Sequence, residues 1–336
     1  MVALTGGGTG GHLRIVELIK GELNRRGIEP VFIGSTAGRD REWIKGEGWK
    51  SCHFLESSGV ANRRGVAKLG VLAKIGKESF KAVEIFRREG VERVVSVGGY
   101  SSAPATIGAI ITGRPLYLHE QNSIPGLVTR MARPFARRLF NSFFGSDGYP
   151  VDPNFYRTAR RRERMEKVIF LGGSQGARGI NRLAVELAPQ LLEREVEVIH
   201  QTGARNWEEV RGEYRKRGLE GKVHLFPFSD RLYQLVGEAD LAISRAGAST
   251  LFELVSNGLP AVFIPYPYAA GDHQFFNALY LKQRGLGEVV REPEATPAKV
   301  LELMDRLVRH LPQISEELLK LNPPDSLSKI VDAILE

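Results

Sequence analysis

The chain has a single cysteine, Cys52. One thiol excludes an intrachain disulfide framework and a cysteine-based zinc site, and a reducing compartment is the simpler setting. No apolar run approaches the roughly 20 residues that span a bilayer. Met1 to Thr5 leads straight into glycines, with no basic segment followed by an apolar one, so no secretory signal is expected. No group of carboxylates is spaced like a metal site, and no metal or other cofactor is expected. There is no low-complexity tract and no short-period repeat, which argues against a flexible, low-complexity chain and a solenoid. The expected location is cytosolic, with any membrane contact peripheral.

What is present is ordinary in amount and uneven in placement. The 336 residues are 42% hydrophobic and 26% charged, a soluble composition with length for two cores. The net charge of +8 calls for an acidic partner or serves solubility, and nucleic acid, anionic lipid and phosphorylated metabolites all qualify. Short β-branched runs (Val2 to Leu4, Pro30 to Ile33, Val94 to Val97, Leu116 to Leu118) alternate with amphipathic segments such as Ile15 to Arg25. That alternation predicts an α/β fold with a doubly wound parallel sheet. The pattern fades over residues 147–166, where turn formers meet Arg160-Arg161-Arg162, and restarts at Lys167 to Leu171. Strands at Glu197 to Gln201, Val223 to Phe226, Leu241 to Ser244 and Ala261 to Ile264 follow. The reading is an N-terminal domain over 1–146, a linker over 147–166, a C-terminal domain over 167–322 and a last helix within 323–336. Ligands of two such domains are expected in the cleft between them.

Each half opens with a strand, a glycine loop and a helix. Gly6, Gly8 and Gly11 fit the G-x-G-x-x-G spacing, and His12 ends the run. Glycine lets backbone approach an anion, and a helix start offers N–H groups and partial positive charge. The loop is therefore read as a phosphate cradle. A nicotinamide dinucleotide is set aside, because the second strand ends Phe32-Ile33-Gly34-Ser35-Thr36 without an acid for the ribose. A Walker loop is set aside because no Gly-Lys-Ser/Thr follows. The second loop, Gly172 to Gly176, adds Ser174 and Arg178 as donors. Arg245 to Glu253 follows the strand Leu241 to Ser244, with Ser249 or Thr250 as the expected N-cap and Glu253 placed to accept two sugar hydroxyls. Gln274, after Pro265-Tyr266-Pro267, offers donor and acceptor to a sugar.

Taken in order, Gly7 to His12, Gly98-Gly99-Tyr100 with Pro104, His119 to Asn122, Gly172 to Arg178, Arg245 to Glu253 and Asp272 to Ala278 closely resemble the MurG family of bacterial peptidoglycan N-acetylglucosaminyltransferases. The resemblance runs across nearly the whole chain. It implies the GT-B fold, two Rossmann-like domains, with the last helix crossing back to the first. It implies inverting transfer of N-acetylglucosamine from UDP-N-acetylglucosamine to the muramyl C4 hydroxyl of lipid I, giving lipid II for peptidoglycan synthesis. Carried over by position, Thr9, Gly10, Gly11 and Asn122 touch the donor and Ser174 touches its diphosphate. Ala248, Ser249, Thr250, Leu251, Phe252 and Glu253 hold the nucleotide, Phe228 marks where backbone meets uracil, and Gln274 meets the donor sugar. Two departures stand out: Asp152 occupies the place of a family arginine, and the proline usual after the histidine is absent at Arg14-Ile15.

For catalysis, His12 is the candidate base, because a helix N-terminus keeps its ring neutral. Asn122 is not a base, since an amide is barely basic. Helix N–H groups behind Ser174 and Ser249, with Arg245 as a cation, are placed to receive charge on departing UDP. An acceptor carrying a long lipid requires a membrane visit at the cytoplasmic face of the cell membrane. The basic and apolar stretch Val66 to Lys77 suits an anionic lipid surface through Leu69, Leu72, Lys74, Ile75 and Lys77, with Arg130, Arg133, Arg137 and Arg138 extending it. The alternatives are a UDP-sugar transferase acting on a different lipid and a non-catalytic basic membrane-binding module. Nucleic acid is not an expected partner, because the basic residues are interleaved with acids and no recognised motif is present.

Overall fold

The computed structural model describes residues 1–38, 40–45, 48–59, 66–145, 147–173 and 175–336, apart from the side chains at 66–69 and 72. These residues form two compact units, Met1–Pro150 with Asp325–Glu336, and Val151–Pro324.

The first unit holds β1 (Val2–Thr5), β2 (Val31–Ser35), β3 (Cys52–Leu55), β4 (Arg93–Ser96), β5 (Leu116–Glu120) and β6 (Arg138–Asn141). All pair in parallel, in the order β3-β2-β1-β4-β5-β6. β1 is buried along its whole length, as a central parallel strand covered on both faces must be. Ala3, Val31, Ile33, Val94, Leu116 and Leu118 share one core with Ala82 and Phe86 of the helix Val66–Arg88 and with Ala105 and Ala109 of the helix Ala103–Ile111. The helix Ser326–Leu335 packs on the helix Gly10–Arg25. Arg26 fixes it by donating to the hydroxyl of Ser328 at 2.9 Å and by pairing with Asp332.

The second unit repeats the order. Its strands are β7 (Lys167–Leu171), β8 (Glu197–Gln201), β9 (His224–Phe226), β10 (Leu241–Ser244), β11 (Ala261–Phe263) and β12 (Glu288–Val289). They are parallel in the order β12-β11-β10-β7-β8-β9. In each unit the order reverses beside the first strand, between β1 and β4 and between β7 and β10. Ligands bind such sheets outside the carboxyl ends of the strands at that reversal.

Residues 151–166, whose charge and turn formers read as a linker, pack into the second unit. Asp152 caps the helix Pro153–Arg157 by accepting the N–H of Asn154 at 2.9 Å. Arg160 pairs with Asp240 at 2.6 Å. Arg162 is fully buried and donates to the carbonyls of Val236 at 3.0 Å and Ala239 at 3.1 Å, and to Asn257. Burial, then the neighbouring charge of Arg160, brings its pKa down to about 9 against the opposing pull of Asp240.

Candidate active site

In the first unit, two loops leave the reversal point together. Gly6 has φ +138°, and a Cβ there would stand 2.4 Å from Cγ2 of Val97. Gly99, at φ +78°, would put one 2.5 Å from the carbonyl oxygen of Gly7. Each loop is therefore glycine because the other lies against it. A third contact comes from Asp40, which starts the helix Asp40–Ile44 and has no exposed surface. Its carboxylate accepts the N–H of Gly8 at 2.7 Å and that of Ser35 at 2.9 Å. Burial raises its pKa, and those two bonds work against the rise. The acid missing from the end of β2 thus exists five residues beyond Ser35, but it binds the protein's own backbone. The N–H of Gly8 is spent on it, so the phosphate-binding capacity read from the glycine spacing is reduced to the helix start at Gly10 and Gly11.

That helix carries His12. Its N-cap is Thr9, in extended conformation, whose side chain makes no capping bond. The Thr9 hydroxyl instead lies 2.6 Å from Nδ1 of His12. Nε2 of His12 stands 3.6 Å from where a Cβ on Gly98 would be. On the next strand, Leu118 is opposite Ser96, so His119 stands beside Val97. It is 1% exposed, and neither ring nitrogen has a hydrogen-bond partner among the described residues. Burial, then the charge of His12, lowers its pKa to about 3 and keeps it neutral. Glu120 accepts the N–H groups of Asn122 and Gly126, each at 3.0 Å, and so shapes the loop that carries Asn122. Asp40 and Glu120 hold the backbone of the loops that carry the candidate residues, and sequence reasoning missed them. Only the position of Glu120 inside His119-Glu120-Gln121-Asn122 signalled it.

The second unit is arranged otherwise. Gly176 (φ +78°) and Gly203 (φ +76°) are pressed together, a Cβ on Gly203 falling 2.1 Å from the nitrogen of Gly176. Gly173 (φ +78°) and Gly247 have nothing within 4 Å of a Cβ. Open space at a glycine is what an approaching ligand needs. Ser174 lies outside the described residues. The helix Ala248–Ser256 begins at the carboxyl end of β10 with Gly247 as N-cap. Ser249 and Thr250 therefore belong to its first turn and are not the cap. Ala248, Leu251 and Phe252 are buried in the core, so their side chains do not present to a ligand and only their backbone can. Glu253 is half-buried, one turn in.

Arg245 does not stand ready as a cation. It donates to the carbonyls of Ile264 at 3.0 Å and Pro265 at 3.1 Å, and pairs with Glu292 at 2.5 Å. Those partners hold the loop after β11 and neutralise the charge. Gln274 accepts the N–H of Tyr266 at 2.9 Å, and Asn277 donates to the carbonyl of Ala246 at 3.2 Å, which ties the helix His273–Lys282 to the start of the Ala248–Ser256 helix. Phe228 is exposed just past β9. The structure therefore gathers Thr9, Gly10, Gly11, His12 and Asn122 at one end of the first sheet. It gathers Phe228, residues 245–253 and Gln274 at the corresponding end of the second.

The membrane-facing residues read from the helix Val66–Arg88 divide. Ile75 is 6% exposed and packs with Val71 and Ala103, so it faces the core and does not meet lipid. Lys74 pairs with Glu56 at 2.6 Å and Lys77 is exposed. The side chains of Leu69 and Leu72 lie outside the described residues. Phe80, which follows that stretch, is 64% exposed, and Met131, Phe135 and Phe144, at 67%, 62% and 78% exposure, are further exposed apolar residues of this unit that composition alone did not select.

Residues 2–141 match the glycosyltransferase family 28 N-terminal domain and residues 167–328 the glycosyltransferase family 28 C-terminal domain. A protein of Campylobacter hominis named UDP-N-acetylglucosamine--N-acetylmuramyl-(pentapeptide) pyrophosphoryl-undecaprenol N-acetylglucosamine transferase is 45% identical over 337 residues, covering 100% of this chain and 97% of its own. The protein of the same name from Wolinella succinogenes is 44% identical, covering 99% of each. The crystal structure of Acinetobacter baumannii MurG superposes with a TM-score of 0.82 at 25% identity, over 100% of this chain and 98% of that one.

Proposed function

The chain belongs to glycosyltransferase family 28, and we propose that it transfers N-acetylglucosamine from UDP-N-acetylglucosamine to the muramyl C4 hydroxyl of lipid I, the undecaprenyl-diphosphate-linked acceptor. The observation that carries this reading is full-length similarity to transferases so named, joined to two sheets of one strand order with the matching residues at their carboxyl ends.

The donor belongs to the second unit. The backbone N–H groups at the start of the Ala248–Ser256 helix receive the diphosphate, and the positive end of that helix favours its charge. Glu253 accepts the ribose hydroxyls, Gln274 meets the sugar and Phe228 marks the uracil. The first unit supplies the reacting end. The acceptor hydroxyl attacks the anomeric carbon while His12 takes its proton, and the bond from that carbon to the diphosphate oxygen breaks with its electron pair leaving on UDP. One displacement inverts the configuration. Arg245, neutralised by Glu292, has no part in receiving that charge.

A lipid-linked acceptor requires a peripheral contact with the cytoplasmic face of the membrane. Among the described residues no helix is long and apolar enough to cross a bilayer. The support for surface contact is the exposed Met131 and Phe135 interleaved with exposed Arg130, Arg133 and Arg137, apolar and basic side chains in the mixture that anionic lipid attracts.

The test is transfer of labelled N-acetylglucosamine to a lipid I analogue, run beside competing lipid acceptors. Lipid II formation is expected. Folded protein that binds UDP and transfers only to another lipid overturns the acceptor, and folded protein with no UDP binding overturns the whole reading.

A further inference from the structure

An N-cap threonine ordinarily turns its hydroxyl oxygen onto a backbone N–H two or three residues ahead. Thr9 has the extended backbone of an N-cap, but its side chain makes no such bond. Its oxygen lies 2.6 Å from Nδ1 of His12, the distance of a strong hydrogen bond. A residue that gives up the local stabilisation its position offers does so for another contact, and sites of function are where such departures gather.

Either atom of this pair can be the donor, and the two choices have opposite consequences. If the hydroxyl donates to Nδ1, the neutral ring carries its proton on Nε2 and has no basic nitrogen on that side. If Nδ1–H donates to the hydroxyl oxygen, Nε2 keeps its lone pair. Thr9 is exposed, so in the second arrangement its hydroxyl proton turns to water at no cost. Nε2 is the ring atom 3.6 Å from the Cβ position of Gly98, on the side of the loop from β4. Gly98 has φ +86°, so the backbone beside the ring is held by a conformation that favours glycine.

We propose that Thr9 is a positioning residue for the transfer: it accepts Nδ1–H of His12, selects that tautomer and aims Nε2 as the base. This rests on the transferase reading above. In the step, the acceptor hydroxyl gives its proton to Nε2 as its oxygen bonds to the anomeric carbon, and UDP takes the electron pair of the broken bond. Thr9 holds Nδ1–H throughout and neither gains nor loses a proton. The role differs from the donor contact that the family resemblance assigned to the same residue.

The experiment pairs nitrogen NMR with steady-state kinetics on the full-length protein. With 15N-labelled histidine, and His12→Gln to assign its signals, His12 is expected to show a protonated Nδ1 and an unprotonated Nε2 in the wild type. Thr9→Val should move it toward the Nε2–H form and lower kcat about 10- to 100-fold with the donor KM unchanged. Thr9→Ser should restore both. Because no capping bond is lost, Thr9→Val should melt within about 2 °C of the wild type. An Nε2–H tautomer in the wild type, a tautomer unchanged in Thr9→Val, or a raised donor KM at unchanged kcat each overturns the proposal. The tautomer is read without turnover, so a protonated Nδ1 in a protein that transfers nothing leaves the positioning intact and removes only the transferase reading.

Discussion

The loop after β1 and the loop after β7 hold equivalent places in sheets of one strand order, yet their glycines answer different needs. In the first, side chains at Gly6, Gly7 and Gly8 would run into Val97, Asp40 and Tyr100. The loop is full of the protein's own atoms, and a carboxylate already holds one of its N–H groups. In the second unit, Gly173 and Gly247 face open space. The glycines of the first loop thus serve packing, whereas the second loop combines packing, at Gly176, with access, at Gly173. A glycine motif identifies a close approach, but what approaches must be found in space.

The largest expected effect tests that division directly. His12→Ala should lower turnover by about 100- to 10,000-fold, the range of a lost general base, and leave UDP affinity near the wild type. Glu253→Gln should do the reverse, weakening UDP by about 10-fold or more through loss of a charged acceptor with a smaller change in kcat. Calorimetric UDP binding beside transfer rates separates the two, and a matched loss in both variants would erase the distinction.

Next in size is stability. Gly99→Ala meets the Gly7 carbonyl and a left-handed backbone, and should cost about 3 kcal/mol. Gly173→Ala meets only the backbone strain, about 1 kcal/mol. Urea titrations compare them.

The two buried histidines extend the contrast. His200 bonds Tyr214 and Asn181, each at 3.0 Å, whereas His119 has no partner among the described residues. Burial holds both near a pKa of about 3, against about 6.5 in the unfolded chain. The native state binds fewer protons in that window, so their stabilising effect is complete above about pH 6.5 and is lost as pH falls toward 3. His119→Phe should flatten the decline of stability over that range, measured by melting at successive pH values. His200→Phe should also remove a titration but strand Asn181 and Tyr214, lowering stability at every pH.

The smallest effect concerns matching helix ends. Gly10–Arg25 and Arg178–Glu193 are both 16 residues long. Both close with paired backbone bonds, Ile28 to Leu23 and Val196 to Leu191, each 2.9 Å. The left-handed residue is Gly27 in one and Glu195, at φ +59°, in the other. Glu195→Gly should stabilise by about 1 kcal/mol and Gly27→Ala should destabilise by about as much.

Strand alternation, the restart at Lys167 and the ordered motifs were legible because they are local: a buried parallel strand needs a short β-branched run, and a close backbone approach needs glycine. Residues 151–166 misled, since Arg160-Arg161-Arg162 looks solvated until Asp240 and the carbonyls around Arg162 are in place. Ile75 misled for a similar reason. Lys74 and Lys77 lie close to it in sequence, but its packing partners are Val71 and Ala103.

The sequence by itself determined the class of fold, the family and the residue types at the reacting end, because these depend on period, spacing and order along the chain. Tertiary structure decided their assignments. It showed that Asp40 closes the first loop, that Arg245 is neutralised by Glu292, and that the Thr9 hydroxyl serves a histidine ring in place of its helix. Those outcomes depend on which group meets a donor or a charge in three dimensions, and hydrogen bonds and ion pairs act over a few ångströms of space whatever the separation in sequence.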